Sequence, residues 1–263
     1  MTELSSRKAS SQTSGPAAAE AGREQKPEAL ALVIPTLNEA GNIGGLLERV
    51  RLALEPLGMP YEIVVVDDDS RDGTGEIVSR MAAEDARIRL LVRRGERGLS
   101  GAILHGWEHT DTPFAGVMDA DLQHPPELLP LLVAAILGGA DLAIGSRYTP
   151  GGELGDWNPM RKFLSAAAVW VTWPIQHSGR RAKDPMSGFF LVRRRAIAEI
   201  AFQKSGFKLL LEVLVRARLH SVKEVPFAFG LRSRGSSKAG LKVGWDYARL
   251  LLRLYAARFF SRG

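Results

Sequence analysis

Two aspartates, Asp119 and Asp121, flank a single alanine just after the apolar run Phe114 to Met118. In extended backbone, residues two apart project to the same side. Both carboxylates can therefore face one cation, and Gln123 can reach it as well. Hard oxygen donors of this kind suit Mg²⁺ or Mn²⁺, which would in turn grip a diphosphate. Carboxylates spaced this way are more commonly a solvated turn. Their position at the end of an apolar strand is what raises them above that reading.

A second acidic constellation is Asp67-Asp68-Asp69-Ser70-Arg71-Asp72-Gly73-Thr74. Four carboxylates this close repel one another, a poor choice for stability alone. Asp72 reads as the N-cap of the next helix, whereas Asp67 or Asp68 suits hydrogen bonds to a ribose or a base edge. Pro35-Thr36-Leu37-Asn38-Glu39 makes a turn after the first apolar run, with Asn38 read as a helix cap and Glu39 able to touch a ligand. The basic candidates are Arg147 after Gly145-Ser146, Arg161 at the start of an apolar helix, and Arg232, Arg234 and Lys238 in a Gly- and Ser-rich loop. The planar fork of arginine suits phosphate oxygens, although each taken singly reads equally as a surface charge. Glu212 reads as the i,i+4 partner of Arg216.

Other chemistries are excluded. No G-x-G-x-x-G follows the first strand, and no G-x-x-x-x-G-K-[ST] occurs. Gly98-Leu99-Ser100-Gly101 is too short a signal for either loop. There is no Gly-x-Ser-x-Gly elbow, and the five histidines show no metal-ligand spacing. With no cysteine, neither disulfides nor thiolate metal sites are available.

The elements that must position these residues alternate regularly. Strand patterns at 29–34, 61–66, 88–92, 114–118 and 141–145 are separated by helical patterns at 41–54, 72–83, 98–109 and from Pro125-Pro126 to Leu137. This order implies an α/β fold with a mostly parallel sheet covered on both faces. In such sheets the ligand crevice lies beyond the carboxyl ends of the strands. Four of those ends carry polar clusters: 35–39, 67–70, 119–123 and 146–147. Past Tyr148 come a Gly-rich loop, an apolar helix from Arg161, a strand at 189–192, a helix at 208–219, a strand around 222–229 and a C-terminal helix.

The 263 residues are 45% hydrophobic and 24% charged, ordinary for a globular chain of one large unit. From Lys204 to Gly263 thirteen Lys or Arg face only three acidic residues, a surplus of ten positive charges. Such a block wants phosphate, in a nucleotide, a nucleic acid or a lipid headgroup. A nucleic-acid-binding protein or a non-catalytic membrane-recruiting module would explain that surplus but not the ordered acidic clusters. No run of about twenty apolar residues spans a bilayer; the longest, 163–175, is too short. Residues 1–28 lack an apolar h-region and read as a disordered tail, 29–240 as one catalytic unit, and 241–263 as a basic amphipathic helix. Its Trp245, Leu252, Tyr255 and Phe259 share one arc, which suits either an anionic membrane face or packing on the chain's own core.

Taken together, these stretches resemble the family 2 glycosyltransferases, specifically the dolichol- or polyprenol-phosphate mannose synthases. The matching segments are Pro35 to Glu39, Val66 to Ser70, Met118 to Pro126, Gly145 to Tyr148, Gly151-Gly152, Arg161-Lys162, Asp184 to Phe190, Gly206 to Lys208, Glu224 to Pro226, and Arg232 to Lys238, in order along the chain. The resemblance implies a single-domain nucleotide-sugar glycosyltransferase (GT-A, Rossmann-like) fold. It also implies GDP-mannose as donor, a polyprenyl or dolichyl phosphate acceptor, Mg²⁺ or Mn²⁺, and no nucleic acid. By position, Pro35, Leu37, Glu39, Val66 and Asp68 should line the nucleoside pocket, and Asp119, Ala120 and Asp121 should meet diphosphate and metal, with Gln123 completing the metal shell. Arg147, Arg161, Lys208, Arg232 and Lys238 should hold phosphates, Lys208, Arg232 and Lys238 those of the donor, Arg147 and Arg161 those of the acceptor. Leu37 stands where many relatives have Tyr, and Asp69 replaces the commoner Gly. Many relatives continue into transmembrane helices, so peripheral attachment to the cytoplasmic membrane face, with room for a separate membrane subunit, is the implied location. UDP-glucose as donor is the alternative within the class.

Overall fold

The computed structural model describes residues 27–153, 159–176, 180–204, 206, 208–228 and 241–260. The expected tail at 1–28, apart from its last two residues, and the loop carrying Arg232, Arg234 and Lys238 lie outside these residues, as does the side chain of Arg161.

Strand β1 (Leu30–Thr36) is buried along its whole length, the signature of a central strand covered on both faces. Its neighbours are β2 (Tyr61–Asp67) and β4 (Phe114–Val117), both parallel to it; β3 (Ile88–Val92) lies beyond β2. The sheet continues through β6 (Phe190–Arg193), β5 (Leu142–Ser146) and β7 (Val222–Pro226), giving the order β3-β2-β1-β4-β6-β5-β7. Only β6 runs antiparallel, wedged between β4 and β5, so the expected mostly parallel sheet is what forms.

Helices cover both faces. On one side lie α1 (Ile43–Leu54), α2 (Thr74–Glu84) and α4 (Leu129–Leu137); α1 buries Ile43, Leu46, Leu47, Val50 and Leu54, a single stripe at helical spacing. On the other side α3 (Leu99–Glu108) packs on Val33, Val64 and Val66, and the short α6 (Arg194–Ile197) and α7 (Leu209–Arg216) share the same core with Ile144, Phe190 and Val192. Gly106 lets α3 approach closely, since a Cβ there would come within 2.7 Å of Val33. The helix expected from Pro125 opens instead with a tight 3₁₀ turn at Pro126–Leu128 before α4. Glu212 is buried and pairs with Arg216 at 2.6 Å, the expected i,i+4 contact.

Helices α5 (Pro159–Thr172) and α8 (Leu241–Phe260) form a further layer. Leu250 and Leu254 of α8 pack on Ile175, Leu211 and Val215, while the Tyr247 and Tyr255 hydroxyls donate to the carbonyls of Ala168 and Val171. The α8 arc therefore divides: Tyr255 turns inward, and Trp245, Leu252 and Phe259 stay exposed, as do Trp170 and Trp173. Among the described residues no helix is long and apolar enough to cross a membrane.

Candidate active site

Parallel pairing brings the carboxyl ends of β1, β2 and β4 side by side, with Thr36 opposite Asp67. The turn after each carries one non-glycine residue with positive φ: Asn38 (59°), Asp69 (60°) and Leu122 (62°). Such residues are strained unless their surroundings hold them, and they gather at functional sites. Left-handed backbone at Asp69 also explains why glycine suits that position, since it carries no Cβ penalty.

Side chains lock the first two turns together. Asp67 accepts from the Thr36 hydroxyl at 2.8 Å and from both the amide and hydroxyl of Ser70 at 2.7 and 2.6 Å. The Ser70 hydroxyl accepts from the Asn38 amide, and Asn38 Oδ1 accepts from the Arg71 amide. Asp72 accepts from the Ala40 amide, and the Thr74 hydroxyl accepts from the Glu39 amide. Two expectations change here. Asn38 caps no helix: α1 begins five residues later, behind Asn42, and Asn38 instead bridges to the β2 turn. The N-cap of α2 is Gly73 (φ 95°), with Asp72 one residue earlier receiving the Thr74 amide. Asp67, read as a nucleoside contact, spends its carboxylate on joining the two turns.

The segments at these ends enclose a cavity of about 420 Å³ lined by Pro35 and Thr36 of β1, Leu37 and Glu39 after it, Asp68 after β2, Gly98 with Leu99 and Ala102 of α3, and Asp119, Ala120 and Asp121 after β4. Seven of the eleven residues expected at the donor site meet there. Val66 does not: its side chain is fully buried against α3, because it points to the opposite face from the strand end. Asp68 lines the cavity, but Oδ1 accepts from Arg93 Nε at 2.7 Å and Oδ2 from the Gly98 amide at 2.8 Å. Gly98 and Leu99, dismissed as too short a motif, supply one wall.

Asp119 also borders a smaller crevice with Ser187, Gly188 and Lys208. Burial draws the Lys208 ammonium below its ordinary pKa, and the nearby Asp119 carboxylate opposes that shift. Arg147 is nearly sealed and forked onto Asp184, Nε to Oδ2 at 2.7 Å and Nη2 to Oδ1 at 2.8 Å. Burial lowers the Arg147 pKa, but its bonds to Asp184 outweigh that and leave it raised. Asp184 is itself fixed, since the Glu224 carboxylate accepts from the amides of Lys183 and Asp184. His124 lies between Phe189 and Phe227 with Nδ1 3.8 Å from Asp119 Oδ2. Burial, aided by Arg147, brings its pKa down to about 3, so the ring is neutral. Asp184, Glu224 and Arg93 carry no local spacing signal; their partners lie 25 to 41 positions away.

The donor set fits a divalent ion that a ligand completes. Among the described residues no three His, Asp or Glu side chains could enclose a metal by themselves. Mg²⁺ is usually held by one or two carboxylates, keeping water and substrate phosphates for its other positions, and Asp119 with Asp121 supplies that number. Gly188 makes room for the first of them, because a Cβ there would lie 2.1 Å from Asp119 Oδ2. Gln123 follows Asp121 closely, its amide donating to Asp121 Oδ1 at 3.1 Å.

The family model described as "Glycosyl transferase family 2" matches residues 31–201. A dolichol-phosphate mannosyltransferase from Pyrococcus furiosus is 42% identical over 86% of this chain, which spans only 63% of that relative's length. One from Mycosarcoma maydis is 38% identical, over 87% of this chain and 79% of its own. A solved mannosyltransferase from Pyrobaculum calidifontis, in complex with GDP-Man and Mn²⁺, superposes with a TM-score of 0.58 at 17% identity, covering 91% of this chain and 66% of that one.

Proposed function

This chain belongs to glycosyl transferase family 2 and has a GT-A fold, and on that premise we propose that it transfers mannose from GDP-mannose to a polyprenyl or dolichyl phosphate. The observation that carries the reading is the meeting of Asp119 and Asp121 with Glu39 and Asp68 in one cavity at the strand ends. The names of the curated relatives support the substrates, and the Mn²⁺ and GDP-Man of the Pyrobaculum structure support the donor and the ion.

In this reading Pro35, Leu37, Glu39 and Asp68 hold the nucleoside, and Asp119 and Asp121, with Gln123 beside them, hold Mg²⁺ or Mn²⁺. That ion, when bound, neutralises charge on the diphosphate. Lys208 adds a positive charge at the same end, and Arg147, Arg161, Arg232 and Lys238 serve the phosphates of donor and acceptor. One acceptor phosphate oxygen attacks the anomeric carbon as its bond to GDP breaks, so the anomeric configuration inverts. The attacking oxygen is already anionic. No side chain has to remove a proton from it, which fits a site whose nearest histidine, His124, is neutral and sealed. The work left to the protein is orientation and charge stabilisation.

One assay tests this. With a short polyprenyl phosphate, radiolabel should enter the organic phase from GDP-mannose and not from UDP-glucose, and EDTA should stop it. Transfer from UDP-glucose alone would move the donor assignment, and full activity in EDTA would end the metal reading.

The acceptor's lipid tail calls for a membrane surface, and residues 241–263, which include α8, are proposed as the attachment segment beside the catalytic unit at 29–240. Trp170 of α5, Trp173 in the turn after it and Trp245 of α8 are exposed, with Arg181 stacked on Trp173 and Arg249 on Trp245. Aromatic rings with arginines suit the headgroup boundary of an anionic membrane. Replacing Trp170 and Trp245 together by Ser should weaken co-sedimentation with anionic phospholipid vesicles by at least about tenfold. Unchanged sedimentation would place the membrane contact elsewhere.

A further inference from the structure

We propose that Arg93, which is not among the residues lining the donor cavity, is a positioning residue that sets donor affinity by holding one wall of the nucleoside end rigid. This rests on the donor reading above. Arg93 follows β3 directly and its side chain is 4% exposed, against 7% for Asp68. Its Nε and Nη2 reach the same Asp68 oxygen at 2.7 and 2.6 Å. Nη2 also donates to the Gly98 carbonyl at 3.1 Å, and Nη1 to Glu96 at 3.2 Å. The circuit closes through the Gly98 amide, which donates to the other Asp68 oxygen at 2.8 Å. Asp68 and Gly98 belong to different elements, yet both line the cavity. One guanidinium therefore fixes the angle between the β2 end and the first turn of α3.

The surrounding backbone is shaped to admit it. Gly98 has a φ of 134°, which L side chains rarely adopt. At Gly101 a Cβ would lie 2.6 Å from Arg93 Nη1 and 3.0 Å from the Lys204 carbonyl oxygen. The space under α3 is thus reserved for the guanidinium. Asp68, already accepting from Arg93 and Gly98, is held as an acceptor with a fixed direction. A carboxylate oxygen has further lone-pair capacity, so a ligand hydroxyl or N–H meets a preorganised partner rather than a rotating one. Lysine cannot replace the fork, because its ammonium cannot hold Asp68 and Gly98 in one plane.

The experiment compares wild type, Arg93→Lys and Gly101→Ala, measuring the GDP dissociation constant calorimetrically and the KM for GDP-mannose and for acceptor. Gly101→Ala leaves both charges in place and presses hardest on the guanidinium, with a second close approach to the Lys204 carbonyl oxygen. Arg194→Lys serves as a control, since Arg194 is a partly buried arginine bonded to carbonyls of Trp107 and Thr112, away from the cavity lining. Arg93→Lys and Gly101→Ala should each raise the GDP Kd and donor KM by about tenfold or more, with acceptor KM and kcat at saturating donor unchanged. Arg194→Lys should lower the melting temperature without moving donor KM. A folded Arg93→Lys or Gly101→Ala protein with wild-type GDP Kd overturns the inference, as does a parallel rise in donor and acceptor KM. Absence of GDP binding by wild type would instead refute the donor reading itself.

Discussion

Gly188→Ala should cut transfer by about a hundredfold or more while leaving the protein folded, although it removes no charged or polar group. An added Cβ would stand 2.1 Å from Asp119 Oδ2, 2.6 Å from its Cγ and 2.8 Å from Oδ1. No contact that short survives, so the carboxylate must swing away or the β6 approach must shift. A displacement of about 1 Å at a positioned group can cost about a hundredfold in rate. Asp121→Asn should abolish turnover at saturating donor, because it halves the anionic charge offered to the ion. The two variants separate cause from accident: Gly188→Ala should recover partly at high Mn²⁺, whereas Asp121→Asn should not. Steady-state rates across a Mn²⁺ series check both. If Gly188→Ala kept its rate within threefold of wild type, Asp119 would not be where the reaction needs it.

The second large effect is on stability. Asp184 is completely buried and both of its oxygens accept from Arg147, with the Arg147 amide donating as well. Removing one partner of such a pair strands a charge in a low-dielectric interior, which typically costs about 3–5 kcal/mol. Asp184→Ala should therefore lower the unfolding free energy by that amount, read from a shift in urea midpoint at constant m-value. Asp184→Asn keeps the shape but loses the charge-assisted bonds, so a smaller loss of about 1.5–3 kcal/mol is expected. Both should weaken the acceptor more than the donor, since Arg147 is proposed for the acceptor phosphate. An Asp184→Ala protein within about 1 kcal/mol of wild type would show that the pair contributes no more than an exposed one.

These two residues also mark how far reading along the chain could go. Asp119 and Asp121 stood out because they sit two apart at the end of an apolar strand, a local pattern. Glu39 was legible from its place in a turn at a strand end, whereas Pro35 and Leu37 were assigned to the pocket only through the family resemblance. Asp184 and Gly188 were visible only as part of a family resemblance, with no role attached. What makes them matter is contact with Arg147 and Asp119, residues remote in sequence. Arg93 was passed over altogether, because an arginine after an edge strand reads as solvated until something covers it. Val66 is the opposite case: it is adjacent in sequence to Asp67 and Asp68, but its side chain is buried against α3 and does not line the cavity.

The order of strands and helices, the end of the sheet at which the cavity forms and the pair of carboxylates after β4 were all set by local periodicity. Side-chain direction repeats every two residues in a strand and every three to four in a helix, so short stretches suffice to place them. Tertiary structure alone decided which of the many carboxylates face the cavity and which are consumed in holding it. Asp67 ties two turns, Asp68 is shared with Arg93 and Asp184 binds Arg147, across 25 to 37 positions of chain. Such partnerships depend on how the sheet stacks its strands, and no spacing along the chain encodes them.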